Sequence, residues 1–107
     1  MDADTALVKY VFIDVVGFTK DRSVEAQSDI IMNMNRIVDE TISGYSIPRE
    51  KLIVLPSGDG LCIALVNLLQ PLDIHLLVAI SIIERLYSYN YETTDERRRF
   101  LLRIGIS

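Results

Sequence analysis

The order of its apolar segments restricts the fold of this chain more than any other feature of the sequence. Short runs rich in Val, Ile, Tyr and Phe predict strands, and two longer segments with apolar residues every three or four positions predict helices. The predicted strands span residues 7–15, 51–56, 61–66 and 100–106, and the predicted helices span residues 23–43 and 72–89. The elements therefore follow the order strand, helix, strand, strand, helix, strand.

That order is typical of one small architecture. It predicts an α+β domain with the ferredoxin-like βαββαβ topology, in which a four-stranded antiparallel sheet carries two helices on one face. The first strand is apolar at nearly every position, which indicates a central strand. Asp21 or Ser23 is expected to cap the first helix. The second helix has a long apolar surface, and we expect it to pack against the sheet and against the first helix.

Length and charge limit the domain count and the partners. A chain of 107 residues can form one hydrophobic core, so residues 1–107 are expected to form a single domain. The net charge of −4 argues against a general surface for polyanions. The basic run from Arg97 to Arg99 follows two acidic residues, which is typical of a solvated loop. We therefore expect no nucleic-acid partner.

A few single features indicate the cellular location of the chain and the chemistry open to it. Cys62 lies inside an apolar run, which predicts a buried small side chain, and His75 lies among apolar residues with no cluster of metal ligands. Residues 1–4 are acidic where a signal peptide is basic, and the apolar helical segment is too short to span a bilayer. We expect a cytoplasmic chain with any membrane anchor outside it.

Two aspartates lie where an apolar strand gives way to a glycine turn. Asp14 follows the first strand and precedes Gly17, and Asp59 lies between Gly58 and Gly60 in the predicted hairpin turn. Each aspartate alone is typical of a turn or a helix cap. Two carboxylates brought together at strand ends, however, can hold Mg²⁺. The βαββαβ topology makes the first strand and the hairpin tip neighbours, so we expect these carboxylates to meet.

The segment Gly17-Phe18-Thr19 connects the first strand to the first helix. Glycine lets the backbone approach a ligand closely, and backbone amides before a helix can point at an anion that the positive end of the helix favours. The sequence therefore predicts a phosphate-binding loop beside the two carboxylates.

Three segments together resemble a known family. Residues 12–19 (FIDVVGFT), 57–60 (SGDG) and 102–106 (LRIGI) resemble, in order and spacing, the class III adenylate and guanylate cyclase catalytic domain. The resemblance implies a cyclase from a signalling protein, which converts ATP or GTP to the cyclic nucleotide and pyrophosphate. It also implies a homodimer, since family members assemble their catalytic sites across a dimer.

The resemblance assigns roles to the residues of the predicted site. Asp14 and Asp59 would be the metal carboxylates, with the backbone carbonyl of Val15 as a further ligand, and the metals would be two Mg²⁺ or Mn²⁺ ions. The triphosphate would lie on a second set of residues. This set comprises Gly17, Phe18, Thr19 and Arg103.

The chain departs from the family pattern in two places. Leu55 occupies the position at which a family lysine or glutamate helps select the purine, and leucine cannot hydrogen-bond the edge of a base. The family's remaining motif, with its transition-state asparagine and arginine, would lie beyond Ser107. We therefore expect no catalytic residue in this chain beyond the metal ligands, and very low cyclase activity from the isolated chain.

Two other functions stay open at this point. A non-catalytic regulatory or dimerisation module that retains the cyclase fold agrees with Leu55 and with the missing motif. A diguanylate cyclase shares the element order, but Gly60 and Leu61 follow Asp59 where its signature requires acidic and aromatic residues.

Overall fold

The computed structural model describes residues 6–107. Residues 1–4, on which the prediction of no signal peptide depends, lie outside the described residues. The strands and helices are β1 (Val8–Val15), α1 (Val24–Gly44), β2 (Leu52–Ser57), β3 (Gly60–Val66), α2 (Ile74–Glu92) and β4 (Leu102–Ile106). Single 3-10 turns at Arg49–Lys51 and Glu96–Arg98 precede β2 and β4.

The strands form one antiparallel sheet in the order β2-β3-β1-β4. β1 is therefore a central strand, as its apolar sequence predicts. The element order and the sheet order are those of the ferredoxin-like fold, which confirms the predicted α+β architecture. The pairing places Asp14 of β1 opposite Gly60 on β3 and opposite Arg103 on β4.

One face of the sheet forms the hydrophobic core together with both helices. In β1 the side chains of Val11, Ile13 and Val15 are buried, whereas those of Tyr10 and Phe12 point to the other face and remain partly exposed. The helices contribute the buried residues Ile30, Met34, Ile37, Val38 and Ile42 of α1 and Ile74, Val78, Ile82 and Leu86 of α2. The second face of the sheet carries no helix among residues 6–107.

The start of α1 is capped by a side chain. The hydroxyl of Ser23 accepts a hydrogen bond of 3.1 Å from the amide of Ala26, so Ser23 and not Asp21 is the N-cap. This bond satisfies one of the amides that have no partner in the first turn of a helix. The helix therefore begins directly after the loop that the sequence predicts to bind phosphate.

α2 begins two residues later and ends three residues later than the sequence predicts, and its last turn is bonded to the segment before β4. The side-chain amide of Asn90 donates to the carbonyl of Phe100 at 2.8 Å and accepts from the Phe100 amide at 3.1 Å. One face of α2 packs in the core as expected, but its opposite face exposes Leu76, Ile80, Ile83, Tyr87 and Tyr91. No helix within residues 6–107 is long and apolar enough to cross a membrane.

Cys62 differs from its predicted burial. It is half-buried on the open face of the sheet, because it alternates along β3 with Leu61 and Ile63, which face the core. His75 is half-buried in the first turn of α2. In the described part of the chain, no group of three or more His, Cys, Asp or Glu residues is arranged to hold a metal.

Candidate metal and phosphate site

The fold brings the two aspartates together at the end of β1. The amide of Val15 donates a hydrogen bond of 3.3 Å to the carbonyl of Asp59, so the hairpin tip is bonded to the strand that carries Asp14. Asp59 precedes Gly60, which pairs with Asp14 across the sheet. The two carboxylates are thus neighbours, as the topology predicts.

Glycines make this approach possible. Ser57 pairs with Gly60, which leaves Gly58 and Asp59 as a two-residue turn, and Gly58 has a φ of 58° that suits the first position of a type II′ hairpin. A β-carbon at Gly60 would lie 2.0 Å from the carbonyl oxygen of Ile13. Any side chain at Gly60 would therefore push the hairpin away from β1.

The electrostatics of Asp14 reflect its acidic neighbour. Hydrogen bonding with the side chain of Asp59 raises the pKa of Asp14, and partial burial and the negative charge of Asp59 raise the pKa further. Arg103 opposes this effect, since its Nη1 lies 3.7 Å from Oδ2 of Asp14. Two carboxylates close enough to share a proton form a site that a divalent cation would stabilise.

The donor set fits a hard divalent cation. Asp14 and Asp59 supply carboxylate oxygens, and the carbonyl of Val15 lies on the next residue of the chain. Mg²⁺ prefers oxygen ligands and commonly takes one or two carboxylates, with water and substrate phosphates as its other ligands. A pair of carboxylates on an open surface agrees with that pattern.

The loop after β1 presents backbone amides. Residues 16–21 form a turn, and Gly17 has a φ of 57°. Among residues 6–107 we find no hydrogen bond donated by the amides of Gly17, Phe18 or Thr19. The side chain of Phe18 packs against the core, so this residue offers its backbone to a ligand. Consecutive unpaired amides in a turn can form an anion-binding concavity.

Arg103 and Leu55 lie on the open face of the sheet. The side chain of Arg103 is 74% exposed, and the chain positions it on the same face as Asp14. Leu55 is 54% exposed and pairs with Cys62, which in turn pairs with Phe12. The predicted purine position therefore belongs to an apolar row next to the carboxylates.

A cavity of about 580 Å³ lies on this face. Its lining includes Phe12, Asp14, Ser57, Cys62 and Arg103. The cavity thus contains one carboxylate, one guanidinium and an apolar floor, which suits a ligand with an anionic end and a ring.

A groove of similar size, about 560 Å³, lies between the helices on the other side of the molecule. Both of its arginines already pair with Glu40, which lies 3.1 Å from Arg85 and 3.7 Å from Arg36. This groove contains none of the residues that the sequence singles out. The open face is therefore the better candidate site.

Sequence reasoning did not find Arg22. Its Nη1 donates to the carbonyls of Gly17 at 2.8 Å and Phe18 at 3.0 Å, so it holds the loop from the side opposite the amides. An arginine just before an N-cap has no distinctive pattern. Gly17 was the available signal for such a contact. Its positive φ marks a turn, and a turn in this conformation is commonly stabilised by a neighbouring side chain.

The fold is similar to that of a solved adenylyl cyclase structure. The structure of a bacterial light-regulated adenylyl cyclase matches 95% of this chain with a TM-score of 0.72 and 18% sequence identity. The chain spans about half of that protein, since the match covers 53% of it. No family model and no curated protein sequence matches the chain. The chain therefore has a cyclase-like fold, and at this identity the likeness concerns the fold alone.

Proposed function

We propose that this chain is the metal-binding and nucleoside-triphosphate-binding part of a class III nucleotide cyclase domain. The observation that carries the proposal is the contact of Asp59 with the end of β1 beside Asp14, directly before a loop with unpaired amides. The cyclase-like fold supports the same proposal.

In this proposal the carboxylates hold the cations. Asp14 and Asp59, with the carbonyl of Val15, bind two Mg²⁺ or Mn²⁺ ions. When bound, such ions would neutralise phosphate charge and make the ribose 3′-hydroxyl easier to deprotonate, which would favour its displacement of pyrophosphate at the α-phosphate. The protein's own contribution is to fix the carboxylates rigidly, through Gly60 and the Val15–Asp59 hydrogen bond.

The loop and β4 position the triphosphate. The amides of Gly17, Phe18 and Thr19 donate to phosphate oxygens, and the start of α1 adds a favourable dipole. Arg103 approaches from β4 with a planar guanidinium that can bind two phosphate oxygens at once. Fixing the chain of phosphates in this way favours phosphoryl transfer by orientation.

The base lies on the apolar row of the open face. Phe12 and Leu55 offer contact to the flat face of a purine but no hydrogen bond to its edge. We therefore propose that the chain accepts ATP and GTP with similar affinity.

Calorimetric titration tests the proposal. ATP and GTP are titrated separately into the protein with Mn²⁺, with Mg²⁺ and with EDTA, and Asp14→Asn and Asp59→Asn are measured in parallel. We expect binding that depends on metal and weakens at least about tenfold in each variant, the equivalent of about 1.4 kcal/mol. Absence of triphosphate binding by the wild type, or equal binding in EDTA, contradicts the proposal.

A non-catalytic dimerisation module is the second candidate, and the exposed apolar residues of the open face favour it. Phe12 on β1 and Ile53 and Leu55 on β2 are each about half exposed, with β3 between the two strands, and such a patch is typical of an interaction surface. This candidate predicts a concentration-dependent homodimer in sedimentation experiments and no heat from nucleotide with metal. A homodimer agrees with both functions, so the calorimetric titration with nucleotide and metal separates them.

A further inference from the structure

Arg22 joins two separate segments through their carbonyls. Besides its bonds to Gly17 and Phe18, its Nε donates to the carbonyl of Arg97 at 3.1 Å and its Nη2 donates to the carbonyl of Arg99 at 3.0 Å. The planar guanidinium thus bonds the loop after β1 on one side and the segment before β4 on the other. The side chain is partly buried between them.

These bonds determine where the loop amides point. In a trans peptide the carbonyl and the following amide point in opposite directions. The carbonyls of Gly17 and Phe18 accept from Arg22, so the amides of Phe18 and Thr19 point away from it. Those two amides are among the three for which we find no acceptor in residues 6–107.

The second pair of bonds links the loop to the strand that carries Arg103. Asn90 holds Phe100 through two hydrogen bonds, and the amide of Val16 donates to the carbonyl of Leu101 at 2.9 Å. The segment from residue 97 to residue 101 is therefore fixed along its length. The loop amides and Arg103 are held relative to each other through Arg22.

We propose that Arg22 is a positioning residue that aligns the loop amides and β4 for a triphosphate. This inference rests on the proposed function, since the aligned groups are the ones that would contact the phosphates. Arg22 acts through the carbonyls of Gly17 and Phe18, on the side of the loop opposite the ligand. Its role is to keep two peptide groups in the orientation that binding requires.

The geometry demands a guanidinium and not simply a positive charge. Arginine offers five N–H donors in a fixed plane, whereas lysine offers three donors on one nitrogen. A lysine at residue 22 would retain the charge but would not reach carbonyls on both sides in the same plane. The Arg22→Lys variant therefore separates the effect of charge from the effect of alignment.

Arg98 provides a matched control on the same segment. Its Nε lies 2.7 Å from Oδ2 of Asp29, and its Nη1 bonds the carboxylate of Asp95. Replacing Arg98 by alanine removes two ion pairs from the segment before β4 but leaves the carbonyls of Gly17 and Phe18 bonded to Arg22.

The experiment compares the affinity for metal with the affinity for two anions in each variant. Binding of Mn²⁺ alone is measured from the electron paramagnetic resonance of free Mn²⁺, and binding of tripolyphosphate and ATP is measured by calorimetry at saturating Mn²⁺. For Arg22→Ala and Arg22→Lys we expect at least a tenfold loss of affinity for both anions, since two charge-assisted hydrogen bonds become misaligned. We expect Mn²⁺ affinity within about twofold of wild type, because Asp14 and Asp59 are bonded to each other independently of Arg22.

Each outcome decides the question. Unchanged triphosphate affinity in the Arg22 variants overturns the inference, as does full recovery in Arg22→Lys or an equal loss in Arg98→Ala. A parallel loss of Mn²⁺ affinity also overturns it, because that result indicates general unfolding of the site. If Arg22→Ala does not fold, Arg22→Lys alone gives the same comparison. A wild-type protein that binds no triphosphate refutes the proposed function, and with it this inference, and is recognised before any variant is measured.

Discussion

The amide of Val15 donates to the carbonyl of Asp59 at 3.3 Å, and this hydrogen bond fixes the hairpin tip to the end of β1. It brings Asp14 and Asp59 together although the hairpin belongs to a different part of the sequence. The close approach depends on Gly60, whose missing side chain leaves room for the backbone of Ile13. The metal site that we propose therefore depends on backbone packing as much as on carboxylates.

Replacing Gly60 by alanine should damage both stability and metal binding. The new β-carbon would lie 2.0 Å from the Ile13 carbonyl oxygen, so the hairpin must move. We expect a loss of about 2–3 kcal/mol in the free energy of unfolding, in the range measured for overpacked sites. Urea titration followed by circular dichroism measures this loss.

Gly105→Ala is the matched control for that variant. A β-carbon at Gly105 on β4 has no neighbouring atom within 4 Å. We expect its stability to stay within about 1 kcal/mol of wild type, since replacing a strand glycine in open space adds no clash. Equal destabilisation by the two substitutions would contradict the prediction that the clash at Gly60 causes the loss of stability.

Asp14→Asn should stabilise the metal-free protein near neutral pH. The raised pKa of Asp14 means that the folded state retains its proton to a higher pH than the unfolded chain. The stabilisation of the folded state by Asp14 is therefore complete below the ordinary pKa of 3.8. This stabilisation is lost as the pH rises through the raised pKa of the folded state. An asparagine carries no charge and can donate to Asp59 at any pH.

Thermal unfolding measured in EDTA at two pH values checks this prediction. At pH 7 we expect a higher melting temperature for Asp14→Asn than for wild type, and near pH 3 we expect the difference to disappear. Saturating Mn²⁺ should raise the melting temperature of the wild type but not that of Asp14→Asn, because Asp14→Asn lacks one of the two carboxylates. Asp39→Asn, which changes an exposed aspartate on α1 and retains both carboxylates, serves as the control and should match the wild type in EDTA and with Mn²⁺. A wild type that is more stable than Asp14→Asn in EDTA at pH 7 contradicts the electrostatic account.

Arg103→Ala should weaken triphosphate binding without weakening the fold. Its side chain is 74% exposed and its ion pair with Asp14 spans 3.7 Å, so the pair contributes little to stability. We expect about a tenfold loss of ATP affinity at saturating Mn²⁺, in line with one charge-assisted contact to phosphate. Calorimetry of Arg49→Ala, an exposed arginine before β2, should give the wild-type value. A similar loss in both variants would indicate a nonspecific charge effect.

Leu55→Glu should reduce self-association of the chain. Leu55 belongs to the exposed apolar face, and a carboxylate there opposes burial against a second copy. We expect a weaker concentration dependence of mass in sedimentation equilibrium than for wild type. Val24→Glu changes an apolar residue that is 81% exposed on α1 and should leave the mass unchanged. An unaltered dimer in Leu55→Glu would exclude this face from the interface.

Apolar patterning made the fold predictable, since short runs of β-branched and aromatic residues indicated the strands and the three-to-four spacing in α1 indicated which of its side chains are buried. The pattern of β1 identified a central strand, and the glycine turn identified the hairpin that carries Asp59. The same signal was incomplete for α2, which packs against the sheet and against α1 as predicted, because an apolar helix surface does not reveal which of its faces stays without a partner. Ile80 and Tyr87 are apolar in sequence and exposed in the fold.

The role of Arg22 was beyond sequence reasoning for a different reason. Two of its acceptors, the carbonyls of Arg97 and Arg99, lie 75 and 77 residues away along the chain. Backbone carbonyls are present at every residue, so no choice of amino acid marks them as partners. Such a contact becomes visible only when the fold has placed the two segments side by side.

The account as a whole predicts where a triphosphate binds, and a nuclear magnetic resonance titration tests this most directly. Magnesium with ATP is added to ¹⁵N-labelled protein, and the amide signals of Gly17, Phe18 and Thr19 are followed together with that of Arg103. We predict large, saturable shifts of these signals in the wild type, and their loss in Asp59→Asn. Saturable binding that shifts other residues and leaves the signals of residues 17–19 unmoved would contradict the account.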